Sequence, residues 1–526
     1  MLKALTLLIL VMGLNLNSIA KSSSEERKHL NILFIFMEDM GLQIPAYGDA
    51  TAPTPGIDKL ASSGVLFENA YCVQATCSPS RSSVYSGQYP HQTGHMGLAG
   101  KYGYYMKPGF TTFISQLKAS GYRTGYSYKI HVNPEQEIAK HYDVHNSIKQ
   151  FKKDKSDTKD YNRAIKYFDK FLKDSKKDQP FFYMAQTHDT HEPFNRGPFK
   201  TAPDREPYRT LKGHDVKALP AFGEGLSMQG YLSTMTASYY NSIQRVDAFV
   251  SGCLTLLEKH GLEENTVVIF SSDHGPSFAR GKLSCNELGL RVPLIVRWPG
   301  TQVAGTRSKK LISLLDIAPT LVDVAGRKAP QQYEGESLKE LAITGSTKKW
   351  RQNLFSEYTS HTTIDYWPMR SVRNSRYKMI VNKLAGTPDG EFILAGGRVQ
   401  SEGGSPDIDA ALKAPKGSSS RTVYEQIKNP PPIELYDLQK DPYELNNLAE
   451  SPEYQAIIKE LNMTLTHWEV ETQDPFADPV YFKMFTQAQI DKQKSIRKWE
   501  QENTVNGFWS KSIAKGDWTK LIEYKE

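Results

Sequence analysis

The segment ILFIFMED, residues 32–39, is an uninterrupted apolar run that ends in two acidic residues. A second run has the same form, because TVVIF at residues 266–270 is soon followed by Asp273, His274 and Gly275. Short apolar runs of this kind are typical of strands that are buried on both faces of a sheet. Similar runs at residues 180–185 and 292–296 alternate with amphipathic stretches, which predicts an α/β domain with a large mixed sheet sandwiched by helices.

Apolar residues recur at helical spacing in residues 111–121, 161–172 and 243–261, which predicts a helix in each. Gly, Ser, Pro and Lys dominate residues 385–430, a composition typical of loops. Beyond them, residues 433–438 alternate as a strand does, and residues 452–468 have helical spacing. We therefore predict a large α/β domain over residues 21–349 and a smaller C-terminal α+β domain over residues 350–526.

The composition is that of a folded chain without a dedicated nucleic-acid surface. Hydrophobic residues make up 39% of the 526 positions, and 65 Lys and Arg exceed 58 Asp and Glu by seven. This positive excess is too dilute for a nucleic-acid partner, although it helps to attract an anionic substrate. The four cysteines are too few for a disulfide scaffold, lack the paired spacing of a structural zinc site, and allow two bridges at most.

The N-terminus has the pattern of a signal peptide. Lys3 precedes an apolar run at residues 4–14, and a short polar stretch then ends in Ala20. The apolar run is shorter than the roughly 20 residues that a membrane-spanning helix needs. We predict that residues 1–20 are removed, and that the mature protein is periplasmic or secreted and has no membrane anchor.

Polar residues gather where two of the predicted strands end. Glu38 and Asp39 follow the first strand, and Asp273 and His274 follow the strand at residues 266–270. Ligands of open α/β sheets bind at the carboxyl ends of the strands, and divalent cations need oxygen ligands that converge from several loops. The two pairs together predict a metal site, although each pair alone also fits a turn or a helix cap.

The stretch CSPSR, residues 77–81, places a cysteine and a proline at the start of a predicted helix. A helix N-terminus lowers the pKa of a thiol, which predicts a reactive cysteine at position 77. The alternative is a structural cysteine, for example one that is bridged to Cys72. Composition leaves both interpretations open.

The CSPSR stretch, continued by a helix and Gly87, resembles the signature of the type I, formylglycine-dependent sulfatases of the alkaline phosphatase-like superfamily. Further blocks resemble that family in the same order along the chain: residues 31–41, YKIH at 128–131, THDTHEP at 187–193, SDHG at 272–275, and Lys282 ahead of residues 289–293. The resemblance spans about residues 30–470. Residues 129–132, 368–372 and 468–475 are similar to the heparan N-sulfatase branch, which bacterial polysaccharide sulfatases share.

The resemblance implies an enzyme that hydrolyses sulfate esters of a sulfated polysaccharide or its oligosaccharides, for example the algal polysaccharide ulvan. It implies that Cys77 is converted to 3-oxoalanine (formylglycine) by a formylglycine-generating or anaerobic sulfatase-maturating enzyme. In the family, one hydroxyl of the hydrated aldehyde attacks sulfur, and the second then loses its proton and expels sulfate. One Ca²⁺ per chain would be held by Glu38, Asp39, Cys77, Asp273 and His274, and the C-terminal domain would complete the substrate cleft.

The resemblance also implies roles for the other motif residues. Lys129 and Lys282 would bind sulfate oxygens, and Arg81 would steady the diol. His191 would be the acid for the leaving group and His131 the base for sulfate elimination, because imidazoles titrate near neutral pH. The reverse assignment, with His131 as the acid and His191 as the base, fits the resemblance as well.

Three further residues are candidates for substrate binding. They are His188 in the THDTHEP block, and His361 and Arg370 at the predicted interdomain cleft, where Tyr366 and Trp367 would form a saccharide platform.

Three positions depart from the pattern of the family. Glu38 stands where the family has Asp, Tyr128 where it has Gly, and His274 where it often has Asn. An imidazole is an unusual ligand for calcium, so His274 bears on the identity of the metal.

Three other functions remain open. An N-sulfoglucosamine sulfohydrolase would fit the likeness to the heparan N-sulfatases. A phosphatase or phosphodiesterase of the same superfamily would usually have Ser or Thr as nucleophile and two metals, so Cys77 argues against it. A pseudoenzyme that only binds glycans would keep Cys77 as a thiol.

Overall fold

The computed structural model describes residues 29–502 apart from 101–102, 196–197, 224–225, 227–229, 348, 396–410 and 412. The predicted signal peptide, residues 1–20, and the end of the predicted C-terminal domain, residues 503–526, lie outside the described residues. Among the helices that are described, none is long and apolar enough to cross a membrane.

The larger of two sheets has eight strands in the order β4-β3-β5-β1-β6-β7-β2-β8. These strands are β1 (Asn31–Met37), β2 (Val65–Tyr71), β3 (Arg123–Tyr128), β4 (Val144–Ser147), β5 (Phe181–Ala185), β6 (Thr266–Ser272), β7 (Leu294–Arg297) and β8 (Thr306–Ser313). Strands β4, β3, β5, β1 and β6 run parallel, whereas β7 is antiparallel to its neighbours β6 and β2. The predicted mixed sheet is confirmed.

The helices around the sheets, in chain order, are α1 (Pro55–Ser63), α2 (Cys77–Ser86), α3 (Pro90–Thr93), α4 (Phe113–Ala119), α5 (Glu135–Ala139), α6 (Ile148–Lys153), α7 (Tyr161–Lys173), α8 (Gly230–Lys259), α9 (Glu287–Leu290), α10 (Ile317–Val324), α11 (Lys339–Thr344), α12 (Pro388–Ala395), α13 (Ser419–Lys428), α14 (Gln455–Glu471) and α15 (Pro479–Glu502). Helices at the three predicted segments are present as α4, α7 and α8. The expectation of loop throughout residues 385–430 is wrong, because α12 and α13 lie within that range.

Both faces of the large sheet are covered, which explains its continuous apolar runs. On β1, Ile32 and Phe34 pack into one apolar layer, whereas Leu33 and Ile35 pack into the layer on the opposite face. Each buried side chain of this size contributes about 1.5–3 kcal/mol relative to exposure. Because side chains alternate between the two faces of a strand, one continuous apolar segment contributes residues to the apolar layers on both faces of the sheet.

The smaller sheet is antiparallel, in the order β12-β11-β10-β9. Its strands are β9 (Leu354–Tyr358), β10 (Met369–Arg373), β11 (Tyr377–Asn382) and β12 (Ile433–Asp437), and α14 packs against it through Leu461, Leu465 and Trp468. The predicted smaller α+β unit is therefore present in the fold. The boundary between residues 349 and 350 precedes β9 and stays a prediction.

A buried ion-pair cluster joins the two sheets. Glu287, in α9, accepts from Lys378 of β11 at 3.1 Å, from Tyr71 of β2 at 2.7 Å and from Arg373 of β10 at 3.4 Å. Burial alone raises the pKa of Glu287, but Lys378 and Arg373 outweigh it and lower that pKa to about 2.

This cluster predicts an acid-dependent contribution to stability. The pKa of Glu287 is lower in the folded chain than the value of about 4.3 in an unfolded one, so the contribution is complete above that value and is lost as the pH falls towards 2. We expect Glu287→Gln to lower the free energy of unfolding by about 2–3 kcal/mol at neutral pH. Urea unfolding of both proteins at several pH values measures this difference, which should shrink below pH of about 4.5.

The matched control is Glu258→Gln, which removes an exposed carboxylate that pairs with Lys59. It should change stability little at any pH. A deficit of Glu287→Gln that stays constant between neutral pH and about pH 2 would show that the charge of Glu287 is not the cause.

Candidate active site

The loops that follow β1, β3, β5 and β6 converge at the carboxyl edge of the large sheet, where open α/β sheets bind their ligands. With the start of α2 and the loop at residue 282, they bring together ten of the predicted residues: Glu38, Asp39, Cys77, Arg81, Lys129, His131, His191, Asp273, His274 and Lys282.

Cys77 is the first residue of α2, and every residue of that helix is buried. Its Sγ lies 3.5 Å from His274 Nε2 and 3.9 Å from Asp39 Oδ1. Burial raises the pKa of the Cys77 thiol well above its ordinary value, although Lys282 and Lys129 act against that rise. The expectation of a thiol with a lowered pKa is therefore wrong. Cys72 and Cys77 are both free, so the alternative of a bridge between them is also wrong.

Asp39, Cys77, Asp273 and His274 form a group that fits a divalent cation. Each offers one ligand atom, and these four atoms lie within 4.8 Å of one another. His274 Nδ1 faces the Gly275 carbonyl oxygen at 2.8 Å, and because a carbonyl only accepts, Nδ1 carries the proton.

Burial lowers the pKa of His274, which keeps the ring neutral and leaves a lone pair on Nε2. That lone pair faces Asp39 Oδ1 at 3.3 Å and Asp273 Oδ1 at 3.7 Å. These three acceptor atoms converge with residue 77 in a buried space, and two carboxylate oxygens with an imidazole nitrogen are a donor set that suits a cation.

Glu38 lies beside this group and is not part of it. Its Oε1 accepts from Arg81 Nη2 at 3.3 Å and contacts Lys129 Nζ. Burial raises the pKa of Glu38, but Lys129 and Arg81 outweigh burial and hold it well below its usual value. The carboxylate that departs from the family pattern is therefore engaged by two cations of the chain.

Arg81 connects three of the loops and is fully buried. Its Nε donates to Asp273 Oδ2 at 3.0 Å, and its Nη1 donates to Gln186 Oε1 at 2.6 Å. Gln186 in turn donates to the backbone oxygen of Lys129 at 3.0 Å. Sequence reasoning missed Gln186, and the available signal was its position as the first polar residue after the apolar run of β5.

Lys282 lies between His191 and the second carboxylate oxygen of Asp39. Lys282 Nζ lies 3.1 Å from Asp39 Oδ2 and 3.5 Å from His191 Nε2. His191 Nδ1 faces the Glu192 carbonyl oxygen at 2.7 Å, so Nδ1 carries a proton and Nε2 points into the cluster.

A buried cluster of charges holds the loop that carries His191. Asp189 accepts from Arg245 through both carboxylate oxygens, at 2.8 and 2.9 Å, and from Lys159 Nζ at 2.8 Å. Lys159 also donates to the His191 carbonyl oxygen at 2.8 Å. No motif pointed to Lys159 or Arg245, which are far from Asp189 in the sequence.

Tyr128, which stands where the family has Gly, has a φ of 77°. A glycine adopts this left-handed conformation without strain, whereas a side chain makes it costly. The Tyr128 ring stacks on His188 with 5.4 Å between the ring centroids, and Lys129 Nζ lies 5.4 Å from the Tyr128 centroid. The Tyr128 ring thus lies beside both the predicted substrate residue His188 and Lys129.

His131 is partly buried and follows β3. Burial, and next the charge of Lys129, lower the pKa of His131 well below its ordinary value, and His361 contributes in the same direction. His361 is itself buried, and its carbonyl oxygen accepts from the Leu98 amide at 2.8 Å.

Arg370 has a different partner from the predicted substrate. It is fully buried, and its guanidinium binds both carboxylate oxygens of Asp474. Tyr366 and Trp367 are completely covered, so the predicted saccharide platform is wrong, because a stacking surface has to be accessible. We therefore do not include Arg370 in the proposed site.

The Arg370 pair predicts a large loss of stability when one partner is removed. Asp474→Asn leaves the buried guanidinium without its counter-charge, and we expect it to cost about 3–5 kcal/mol in the free energy of unfolding. Urea unfolding measures this cost. Asp174→Asn, which breaks an exposed pair with Lys170, is the control and should cost less than about 0.5 kcal/mol. Equal effects of the two substitutions would contradict a structural role for the buried pair.

Comparison with known proteins agrees with this geometry. The family model described as Sulfatase matches residues 30–327, and the model described as N-sulphoglucosamine sulphohydrolase, C-terminal, matches residues 281–385. An ulvan-active sulfatase of Formosa agariphila is 29% identical over 459 residues, which cover 86% of this chain and 82% of the relative. N-sulphoglucosamine sulphohydrolase of Homo sapiens is 27% identical over 485 residues, which cover 85% of this chain and 91% of the relative.

The solved structure of a 2-O GAG sulfatase has the same fold. It aligns with a TM-score of 0.63 at 22% identity, and the alignment covers 86% of this chain and 96% of that one. The sulfatase model matches more than half of the chain, over the part that holds the ten converging residues. The chain therefore belongs to the sulfatase family of sulfuric ester hydrolases.

Proposed function

We propose that this sulfatase hydrolyses sulfate esters of a sulfated polysaccharide or its oligosaccharides through a formylglycine made from Cys77. The observation that carries the proposal is the position of Cys77 at the start of buried α2, 3.5 Å from His274 Nε2 and 3.9 Å from Asp39 Oδ1. The hydrated aldehyde supplies one hydroxyl that attacks sulfur and displaces the sugar oxygen. Deprotonation of its second hydroxyl then breaks the bond between Cβ and the sulfated oxygen, which releases sulfate and regenerates the aldehyde. Maturation requires a formylglycine-generating or anaerobic sulfatase-maturating enzyme as a partner.

We place the cation among Asp39, residue 77, Asp273 and His274. When bound, it supplies a Lewis acid that polarises the reacting oxygen. The two carboxylates suit Ca²⁺, which the family resemblance implies, whereas the imidazole of His274 is less usual for so hard a cation. We propose Ca²⁺, one per chain, and elemental analysis of the purified protein tests this choice.

The side chains of the site carry the remaining steps. A sulfate ester is an anion that resists attack, so Lys129 and Lys282 neutralise and hold its oxygens. His191 Nε2 points into the cluster beside Lys282, where a proton carried on that nitrogen could pass to the leaving group, and we propose His191 as the acid. His131 has a lowered pKa and is neutral, which supports its role as the base that takes the proton from residue 77.

Cation content separates the roles of two adjacent carboxylates. We expect Asp39→Asn to lose the bound cation, because its oxygen belongs to the converging group, and Glu38→Gln to retain about one cation per chain, because Glu38 pairs with Lys129 and Arg81. Elemental analysis and the thermal shift on adding Ca²⁺ measure binding without using turnover. Loss of the cation from Glu38→Gln as well would return Glu38 to the ligand set.

The relatives support two substrate classes. The ulvan-active sulfatase of Formosa agariphila supports a sulfated algal polysaccharide, which we propose as the substrate. The match of residues 281–385 and the human relative support the second candidate, an N-sulfoglucosamine sulfohydrolase. His188 and His361 are the proposed substrate residues beside the reacting cluster.

A turnover panel distinguishes these functions. The matured protein is incubated with ulvan oligosaccharides, N-sulfoglucosamine, an aryl sulfate and an aryl phosphate, and sulfate and phosphate are quantified by ion chromatography. Fastest sulfate release from ulvan oligosaccharides is the expected result. Release from N-sulfoglucosamine alone would favour the second candidate, and faster phosphate release would favour a phosphatase.

The location remains a proposal as well. The charged residue, apolar run and small residues of positions 1–20 support export to the periplasm or the medium. The N-terminal sequence of the secreted protein would test cleavage after Ala20.

A further inference from the structure

A second cavity lies between the segment around residues 91–107 and the C-terminal helix α15. Its volume is about 460 Å³, which is in the range of small-ligand sites. The cation group and the two proposed sulfate-binding lysines are absent from its walls. The residues that give it chemical character are Lys107, Lys492, Gln473, Tyr104, Tyr481 and Phe485.

The charged side chains that line this cavity are lysines. Lys107 and Lys492 are exposed at its walls, and no Asp or Glu is among the residues that line it. Within the described part of the chain, neither lysine forms an ion pair. Two such cations around a space without carboxylates attract an anionic ligand.

The remaining walls suit a sugar ring. Tyr481 and Phe485 stack with 6.1 Å between their centroids, and Tyr104 is the third aromatic residue of the lining. Such rings offer apolar faces, and the amide of Gln473 can both donate to and accept from hydroxyl groups. An apolar face, hydroxyl edges and acidic substituents occur together in a sulfated pyranose.

One chain segment contacts both this cavity and the helix of Cys77. Met96 lines the cavity, and its carbonyl oxygen accepts from Gln74 at 3.3 Å. Three residues later, the Ala99 amide donates to Ser78 Oγ at 2.9 Å, next to Cys77. The segment of residues 96–99 therefore links a wall of the cavity to the start of the helix that carries Cys77.

We propose that this cavity binds a sulfated sugar unit of the glycan other than the unit that is desulfated. The assignment rests on the proposed function only for the choice of a glycan as ligand. It predicts that longer sulfated substrates, which reach both sites at once, bind more tightly than a monosaccharide sulfate, which occupies one site at a time.

Calorimetric titration of the Cys77→Ala variant tests the site without turnover. The probes are an ulvan tetrasaccharide, a heparin tetrasaccharide, the same tetrasaccharides after chemical desulfation, and a monosaccharide sulfate. Adding Lys107→Ala and Lys492→Ala should weaken binding of a sulfated tetrasaccharide about tenfold and reduce its advantage in affinity over the monosaccharide sulfate. Tyr481→Ala should also weaken the tetrasaccharide, since it removes an apolar wall without changing charge.

The control is Lys152→Ala with Lys153→Ala, which removes the same charge from exposed positions on α6. Equal loss in this control, unchanged affinity in the Lys107 and Lys492 variant, or equal binding of the desulfated tetrasaccharides would each overturn the assignment. Absence of sulfate release by the wild-type enzyme would instead contradict the proposed function, so the two failures are distinguishable.

Discussion

Cys77→Ala is expected to abolish sulfate release from every substrate while the protein stays folded. An alanine has no thiol on Cβ, so maturation cannot oxidise that carbon to an aldehyde, and the nucleophile is lost completely. Loss of a nucleophile that acts together with its supporting groups lowers kcat by at least about 10⁴-fold. Sulfate release by ion chromatography, under single-turnover and multiple-turnover conditions, measures the effect.

The matched control for this substitution is Cys253→Ala in α8. Cys253 is also free and fully buried, but it packs in an apolar layer away from the carboxyl edge of the sheet. Both variants create a small cavity, and thermal unfolding should show similar modest losses of stability. Cys253→Ala should keep its activity. Comparable turnover in the two variants would remove Cys77 from the chemistry.

Lys282→Ala is expected to lower kcat by about 10²–10³-fold, because one charged donor to the oxygens that gain charge in the transition state is lost. Lys282 lies 3.1 Å from Asp39 Oδ2 and 3.5 Å from His191 Nε2, so its loss also removes a neighbour of Asp39 and of the proposed acid. Lys282→Arg keeps the charge and should recover part of kcat. Steady-state kinetics across a range of pH, with elemental analysis of each variant, separates these effects.

The pattern of kcat and KM decides how Lys282 acts. A fall in kcat with the cation retained is the expected result and indicates stabilisation of the transition state. A raised KM with unchanged kcat would mean that Lys282 binds substrate and transition state equally, which would contradict the role proposed here.

The central strands could be predicted because their side chains are buried on both faces. The apolar runs of β1 and β6 have no polar interruption, so the pattern is unambiguous. Other strands lack that signal. Strand β3, RTGYSY, and the largely exposed edge strand β8, TRSKKLIS, are rich in polar residues and were not predicted. The order of the strands depends on contacts that are distant in sequence, and no local pattern encodes it.

The site could be predicted where its residues occur in short motifs. Asp39, Asp273 and His274 come within four residues of the end of an apolar run, Cys77 opens a helix, and the structure brings the four together. The ion pairs that these charged residues form could not be predicted. Glu38 pairs with Lys129 and Arg81 outside the cation group because their positive charges compensate its burial.

The burial of charged residues outside the motifs was the hardest feature to predict from the sequence. Lys159 follows a Lys-rich stretch whose residues Lys152 and Lys153 are exposed, as expected of a solvated face. Lys159 itself is completely buried against Asp189. A sequence does not distinguish these lysines, because their difference arises only when residues 30 positions apart pack together.

The decisive measurement is the chemical state of residue 77, determined together with turnover. The protein is co-expressed with a formylglycine-generating enzyme, the peptide that contains residue 77 is analysed by mass spectrometry, and sulfate release is quantified from the same preparation. We expect sulfate release to rise in proportion to the fraction of aldehyde at residue 77. Full sulfate release from a preparation in which residue 77 is entirely a thiol would contradict it.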